Sequence, residues 1–360
     1  MEMLQKFTHE VVKRYTLNDL DSVKNREDRS NLIIRSLFPE RFLSEEIAHP
    51  DEVKLLALNV FFDNNESSTC GTACGSKHLD SGCKDCFTWG SKYKNTLCAG
   101  LTKFHNLDTL IAVDLDLSND LWIEFAKNCT CLKEIYYHSS DFSCYFFYNK
   151  DEALDALFQI STLEKVYISN VCLPYFPPGP SNIKHLELKS VYEDDDEEEQ
   201  RKAHEIYSKN LHTHQNIKTL ILNEQSPEPY NVLDLKLDQM QLEELVLESS
   251  TFDDIVTILT SLPQTLKRLK FSVSFSEISD VEKLISALRS IFVAQIDVVI
   301  EEIEIQVSTD IYDYVVRRIR EEFSRLRDEF KYPTLKKFVF LDYGNRLVLD
   351  VLGDSQVGVR

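Results

Sequence analysis

Four cysteines in a short polar stretch are the residues of this chain best suited to chemistry. Cys70 and Cys74 are followed, eight residues on, by Cys83 and Cys86, with His78 between the pairs and Cys98 beyond. Each close pair offers two thiolates from one turn, and together they meet the four-ligand need of a tetrahedral zinc. Gly71, Gly75 and Gly82 give the backbone the freedom such turns require. The spacing points to one structural zinc on Cys70, Cys74, Cys83 and Cys86; the alternative is a polar insertion with incidental thiols. No glutamate stands beside these ligands in a deaminase or protease arrangement, so a catalytic zinc is not expected. Nucleophile elbows, phosphate-cradling glycine loops and His-Glu-x-x-His are absent from the sequence, and glycines number only nine in all. The chain is not expected to be an enzyme.

All nine cysteines lie between Cys70 and Cys172, an odd number. The segment from Met1 to Tyr15 mixes polar and apolar residues and has no secretory apolar core. Reduced thiols and a cytoplasmic or nuclear, intracellular location are the expectation. No apolar run approaches the roughly 18 residues of a membrane span, so none is expected. A formal charge of −20 argues against nucleic-acid or anionic-membrane binding and favours a protein partner, including one with a basic segment. Glu193–Glu199 is a run of seven acids that reads as a solvated loop; its functional alternative is a salt-sensitive contact for such a segment.

The elements that must carry these features follow from an apolar triplet with spacing 1, 4, 6. It occurs at Val53/Leu56/Leu58, Leu107/Leu110/Ala112, Leu132/Ile135/Tyr137, Leu163/Val166/Ile168 and Ile183/Leu186/Leu188. It continues at Ile217/Leu220/Leu222, Leu242/Leu245/Leu247, Leu266/Leu269/Phe271, Ile300/Ile303/Ile305 and Leu335/Phe338/Phe340. The starts are 20 to 35 residues apart, except for a gap of 54 after the first. A strand with every second residue inward, then a returning segment, is a unit that buries its apolar face only by stacking. Capped helical stretches separate the strands: Asp120–Asn128 after Ser118, Asp151–Ile160 after Asn149, Asp253–Ser261 after Thr251 and Val281–Val293 after Ser279. The longest runs from Asp310 to Phe330, with Tyr314, Ile319, Phe323, Leu326 and Phe330 on one side and Arg317, Arg318, Arg320, Glu321 and Glu322 directed elsewhere.

The predicted architecture is α/β: a solenoid with a curved parallel sheet inside and helices outside. Residues 1–50 form an N-terminal helical cap or a degenerate F-box-like segment, with one helix on Leu4, Phe7, Val11 and Tyr15. A second covers Arg29–Phe38, with Leu32, Ile33 and Leu37 inward. Residues 51–350 form the solenoid, interrupted by the cysteine-rich insertion at 62–98 and the acidic loop at 193–199, and 351–360 form a tail.

The triplets resemble those of divergent intracellular leucine-rich-repeat proteins, similar to the ribonuclease-inhibitor-like and F-box leucine-rich-repeat families. The resemblance covers about residues 53–345 and rests on the strand positions. At the ninth position, where the repeats of those families carry Asn or Cys, this chain has Ser140, Ser250, Ser274 and Ser308, or Val171, Val191, Phe61 and Tyr343. A hydroxyl replaces part of the amide's bonding to the turn backbone. The resemblance implies protein binding and carries over no catalytic residue.

Residues that alternate with the triplets face the concave side. There Glu134, Tyr136 and His138 lie beside Lys165, Tyr167 and Ser169, then His185, Glu187 and Lys189. Tyr136, His138, Tyr167 and His185 are the candidate partner-binding residues, expected to be solvent-exposed, because aromatic rings bury much area at low entropic cost. The reading is a protein-interaction scaffold. Its alternative is a substrate receptor of a cullin–RING ubiquitin ligase that contacts the ligase adaptor through the stretch from Leu37 to Leu43 (LFPERFL), which resembles the start of an F-box.

Overall fold

The computed structural model describes residues 31–35, 50–59, 100–113, 119–138, 151–172, 175–192, 205–223, 235–248, 262–274, 302–308, 337–342 and 345–350. It also describes helical positions between 279 and 289 and between 314 and 325. The chain divides into two compact units, Met1–Cys172 and Leu173–Arg360. Both are α/β, with an open parallel sheet assembled in chain order.

The first unit holds β1 (Asn31–Arg35), β2 (Leu55–Asn59), β3 (Thr109–Val113), β4 (Glu134–His138) and β5 (Lys165–Cys172), each parallel to its predecessor. The second holds β6 (His185–Tyr192), β7 (Thr219–Asn223), β8 (Glu244–Glu248), β9 (Arg268–Ser274), β10 (Glu302–Ser308) and β11 (Lys337–Asp342), again all parallel. β12 (Asn345–Asp350) then pairs antiparallel with β11.

Register follows the triplets. Leu56, Leu110, Ile135 and Val166 are successive partners in the first unit. Leu186, Leu220, Leu245, Leu269, Ile303 and Phe338 are successive partners in the second. From Val53 to Leu269 every described triplet member is buried except the half-buried Leu222. A slip of one residue would turn all of them to the opposite face, so burial itself holds the register.

The backbone adds a second lock just before β3, β4, β5, β7, β8 and β9. The Lys54 carbonyl accepts the N–H groups of both Asp108 and Thr109, each at 2.9 Å, and the Asp108 carbonyl accepts those of Lys133 (2.8 Å) and Glu134 (3.0 Å). Lys133 repeats this with Glu164 and Lys165; in the second unit Lys184, Lys218 and Glu243 do the same for the repeat that follows each. One residue before the triplet, a polar side chain reaches back to the preceding repeat. Asn106 Nδ2 donates to Asp51 O (3.1 Å), Thr162 Oγ1 to Thr130 O and Leu132 O (2.8 Å each), Asn216 Nδ2 to Ser181 O (2.7 Å) and Thr265 Oγ1 to Leu242 O (2.7 Å).

Helices α1 (Asn119–Asn128) and α2 (Asp151–Phe158) cover one face of the first unit, close to the expected bounds. Trp122, Phe125 and Ala126 of α1 and Ala153, Leu154, Leu157 and Phe158 of α2 are buried at helical spacing. Trp122 meets Phe125 and Tyr137 edge-on, at 5.9 and 6.1 Å between centroids. In the second unit, residues 175–184 run without a helix and are tied to 210–216. Asn210 Nδ2 donates to Phe176 O (2.7 Å), Gly179 N to Thr213 Oγ1 (2.7 Å) and the His214 ring to Pro177 O (2.9 Å). A Cβ on Gly179 would lie 2.5 Å from Thr213 O, so only glycine fits.

Two expectations change. The segment within Arg29–Phe38 is the strand β1, not a helix: Leu32 pairs with Leu56 and is buried, as an alternating strand requires. The N-terminal cap is therefore not helical over 31–35, and the parallel series begins there rather than at Val53. Glu322 does not point away from the interior; it is 3% exposed, because arginines surround its carboxylate. The first helix of the cap, the stretch 37–43, the helix at Asp253–Ser261, the acidic run and the tail lie outside the described residues. Ser279, expected to precede its helix, is itself helical. Among the described residues no helix is long and apolar enough to cross a membrane.

Candidate partner-binding face

β4 and β5 present three cross-strand pairs on the face opposite the triplets, Glu134↔Lys165, Tyr136↔Tyr167 and His138↔Ser169. Each is chemically matched. Lys165 Nζ donates to Glu134 Oε1 at 2.6 Å. The tyrosine rings stack face to face, 4.1 Å between centroids and 8° between planes. His138 Nδ1 and Ser169 Oγ are 2.8 Å apart. Parallel, in-register pairing puts side chains one strand spacing apart, which is why two flat rings stack here.

The electrostatics follow from this packing. The Tyr136 hydroxyl donates to Glu134 Oε2 at 3.1 Å. Burial first, then the neighbouring Tyr167 and the Glu134 charge, push the Tyr136 phenol far above its usual range, so it stays neutral. The hydrogen bond to Glu134 raises Lys165 and keeps it charged.

The sequence-predicted residues are brought together in part. Tyr136, His138 and Tyr167 adjoin one another in the first unit. His185 lies on β6 in the second unit, 3.6 Å from Glu187, whose other side meets Lys189 at 3.3 Å. Burial raises the Glu187 carboxyl, but His185 and Lys189 outweigh it and hold the group below its ordinary value.

The expected solvent exposure does not hold for Tyr136, which is 5% exposed; His138, Tyr167 and His185 are half-buried. The reason lies in β2 and β3. Ala57, Ile111 and Val113 occupy the same face, each 7% exposed, and cluster with Tyr136, while Leu55 and Tyr167 pack at the margin. These residues were not anticipated, although a signal was present: Leu55–Leu58 and Leu110–Val113 are continuous apolar runs, the mark of strands buried on both faces.

A second polar centre is structural. His214 is fully buried, its Nδ1 2.7 Å from Ser181 Oγ and its Nε2 2.9 Å from Pro177 O. A carbonyl only accepts, so Nε2 carries the proton and Nδ1 accepts from the serine hydroxyl. Burial holds this histidine below its ordinary pKa despite the carbonyl's support. With both ring nitrogens engaged in the interior, the pair orders a turn.

The zinc candidates Cys70, Cys74, Cys83 and Cys86 lie outside the described residues. Among the described residues no group of three or more His, Cys, Asp or Glu is placed to hold a metal. Cys129 is buried, and burial together with Cys131 pushes its thiol up to about 12, which makes it unreactive. In comparisons with known proteins, no family model matches this chain and no curated protein is similar to it in sequence.

Proposed function

We propose that this chain is a protein-interaction scaffold of the leucine-rich-repeat class, with partner contact on the sheet face of the first unit that carries Tyr136, His138 and Tyr167. The observation that supports this most is the Tyr136–Tyr167 stack, flanked by the Glu134–Lys165 and His138–Ser169 pairs. The triplets pack on the other face, so this row of matched side chains is not needed to bury them. Tyr136 backs the row from beneath; the half-exposed Tyr167, His138 and Lys165 are the groups a partner touches. Fixed rings beside a charge suit a protein anchor because little rotamer entropy remains to be lost.

The test is quantitative capture of partners by the full chain against Tyr167→Ala, at low and high salt. The reading expects one or more partners to be lost with the variant while its circular dichroism remains that of the folded parent and its denaturation midpoint falls only slightly. Undiminished capture of every partner would refute it. The ligase-receptor version gains no observation of its own: the stretch 37–43 on which it rests lies outside the described residues.

A further inference from the structure

The last strand of the second unit, β12, pairs on one side only, antiparallel with β11. Among the described residues no strand lies along its other edge, where every second residue directs its backbone N–H and C=O away from β11. Native sheets blunt an open edge with lysines, prolines or bulges. β12 reads NRLVLD: an apolar centre, no lysine and no proline, and one charge of each sign towards its ends. Its ladder to β11 runs without a bulge from Lys337↔Asp350 to Asp342↔Asn345. Val339, opposite Val348, is fully buried, so β12 is seated on a packed neighbour.

Geometry limits how such an edge pairs with a copy of itself. A two-fold axis gives an antiparallel pair, and opposed residues in that pair share one orientation towards the common edge. The axis must then fall at a residue and not between two. Centred on Val348, the pairing opposes Val348 to Val348, Leu347 to Leu349 and Arg346 to Asp350, the last two pairs occurring twice. Centred on Leu347 it sets Arg346 against Val348, and centred on Leu349 it sets Asp350 against Val348. One register alone matches charge to opposite charge and apolar residue to apolar residue, and opposite charges directly across neighbouring strands favour pairing.

We propose that β12 is a self-association edge: two copies of this chain join β12 to β12 about a two-fold axis at Val348, which continues the sheet of one molecule into the other. This edge is separate from the tyrosine face of the first unit and stands without it. Six residues a side make a small interface, so the association is a concentration-dependent equilibrium and not a permanent dimer.

The experiment is sedimentation velocity of the full chain over a wide concentration range, where a reversible monomer–dimer equilibrium is expected. Arg346→Glu opposes an acid to Asp350 at both ends of the pair and should weaken the dimer about tenfold or more. Asp350→Lys opposes two bases in the same way. The two single variants, each weak alone, should associate when mixed, because an acidic edge then meets a basic one; a merely structural role for either residue gives no such complementation. A parent that stays monomeric throughout, a dimer indifferent to Arg346→Glu, or variants that do not associate on mixing overturns the proposal. If a variant does not fold, hydrogen exchange of the parent decides: alternate amides of β12 should slow as concentration rises, and unchanged exchange there overturns it.

Discussion

His214 accepts the hydroxyl proton of Ser181 across 2.7 Å in the interior of the second unit, and the protonated imidazole could not keep that bond in the same sense. Its folded-state pKa is held below the ordinary value near 6.5 by burial. Its contribution to stability is therefore complete above about pH 6.5 and lost as pH falls toward the folded-state pKa. Urea midpoints measured across that window should decline for the parent. The same decline should be smaller in His214→Gln, and identical curves would contradict the buried neutral ring.

Leu245 is fully buried and stands in register with Leu220 and Leu269. Leu245→Ala should cost about 2–5 kcal/mol by transfer and cavity effects. Leu245→Asp should abolish folding, since an unpaired interior charge costs several kcal/mol more. Circular dichroism melts distinguish these outcomes, and an aspartate variant melting with the parent would contradict the register.

The two stacked tyrosines should part company on mutation. Tyr136→Ala removes a buried ring from the Ala57, Ile111 and Val113 cluster and should destabilise by roughly 3 kcal/mol. Tyr167→Ala, at the half-exposed margin, should cost well under half as much. Equal losses would mean that Tyr167 is packed as tightly as its partner.

Thr162 gives one hydroxyl to two carbonyls of the preceding repeat, Thr130 O and Leu132 O. Thr162→Val keeps the shape and loses the donor, at a cost of about 1 kcal/mol. Denaturant titration reads this directly; a neutral result would show water taking over both carbonyls.

With its thiol pushed up to about 12, Cys129 is almost wholly protonated at neutral pH as well as buried. Iodoacetamide should modify the half-buried Cys131 first and reach Cys129 only after denaturation. Peptide mass spectrometry of native and unfolded samples decides this.

Strand positions and register were legible because the triplets are apolar at a spacing that only an alternating strand satisfies. β1 escaped because Arg29 stands where the first apolar residue of a triplet belongs, leaving only Leu32 and Ile34 of the pattern. The ladder of Asn106, Thr162, Asn216 and Thr265 escaped because those residues differ in type and share only a hydrogen-bonding reach. Tyr136, His138 and Tyr167 were placed correctly on neighbouring strands, since period-two alternation fixes the face. Their burial was not legible, because it depends on what else covers that face. Glu322 was misplaced because a helix pattern assigns charges outward and does not foresee three arginines gathering on one of them.

The shared carbonyls at Lys54, Asp108, Lys133, Lys184, Lys218 and Glu243 govern how the chain tolerates change in length. Each of these repeats is aligned immediately before and within its strand, so the returning segment is free of that duty. Repeat starts joined by these carbonyls lie 24 residues apart in one case and 54 in another without moving a strand by one position. Insertions and deletions should therefore be absorbed anywhere between the end of one strand and the turn before the next. A single residue added between Leu242 and Leu247 would break alignment for every repeat stacked on it.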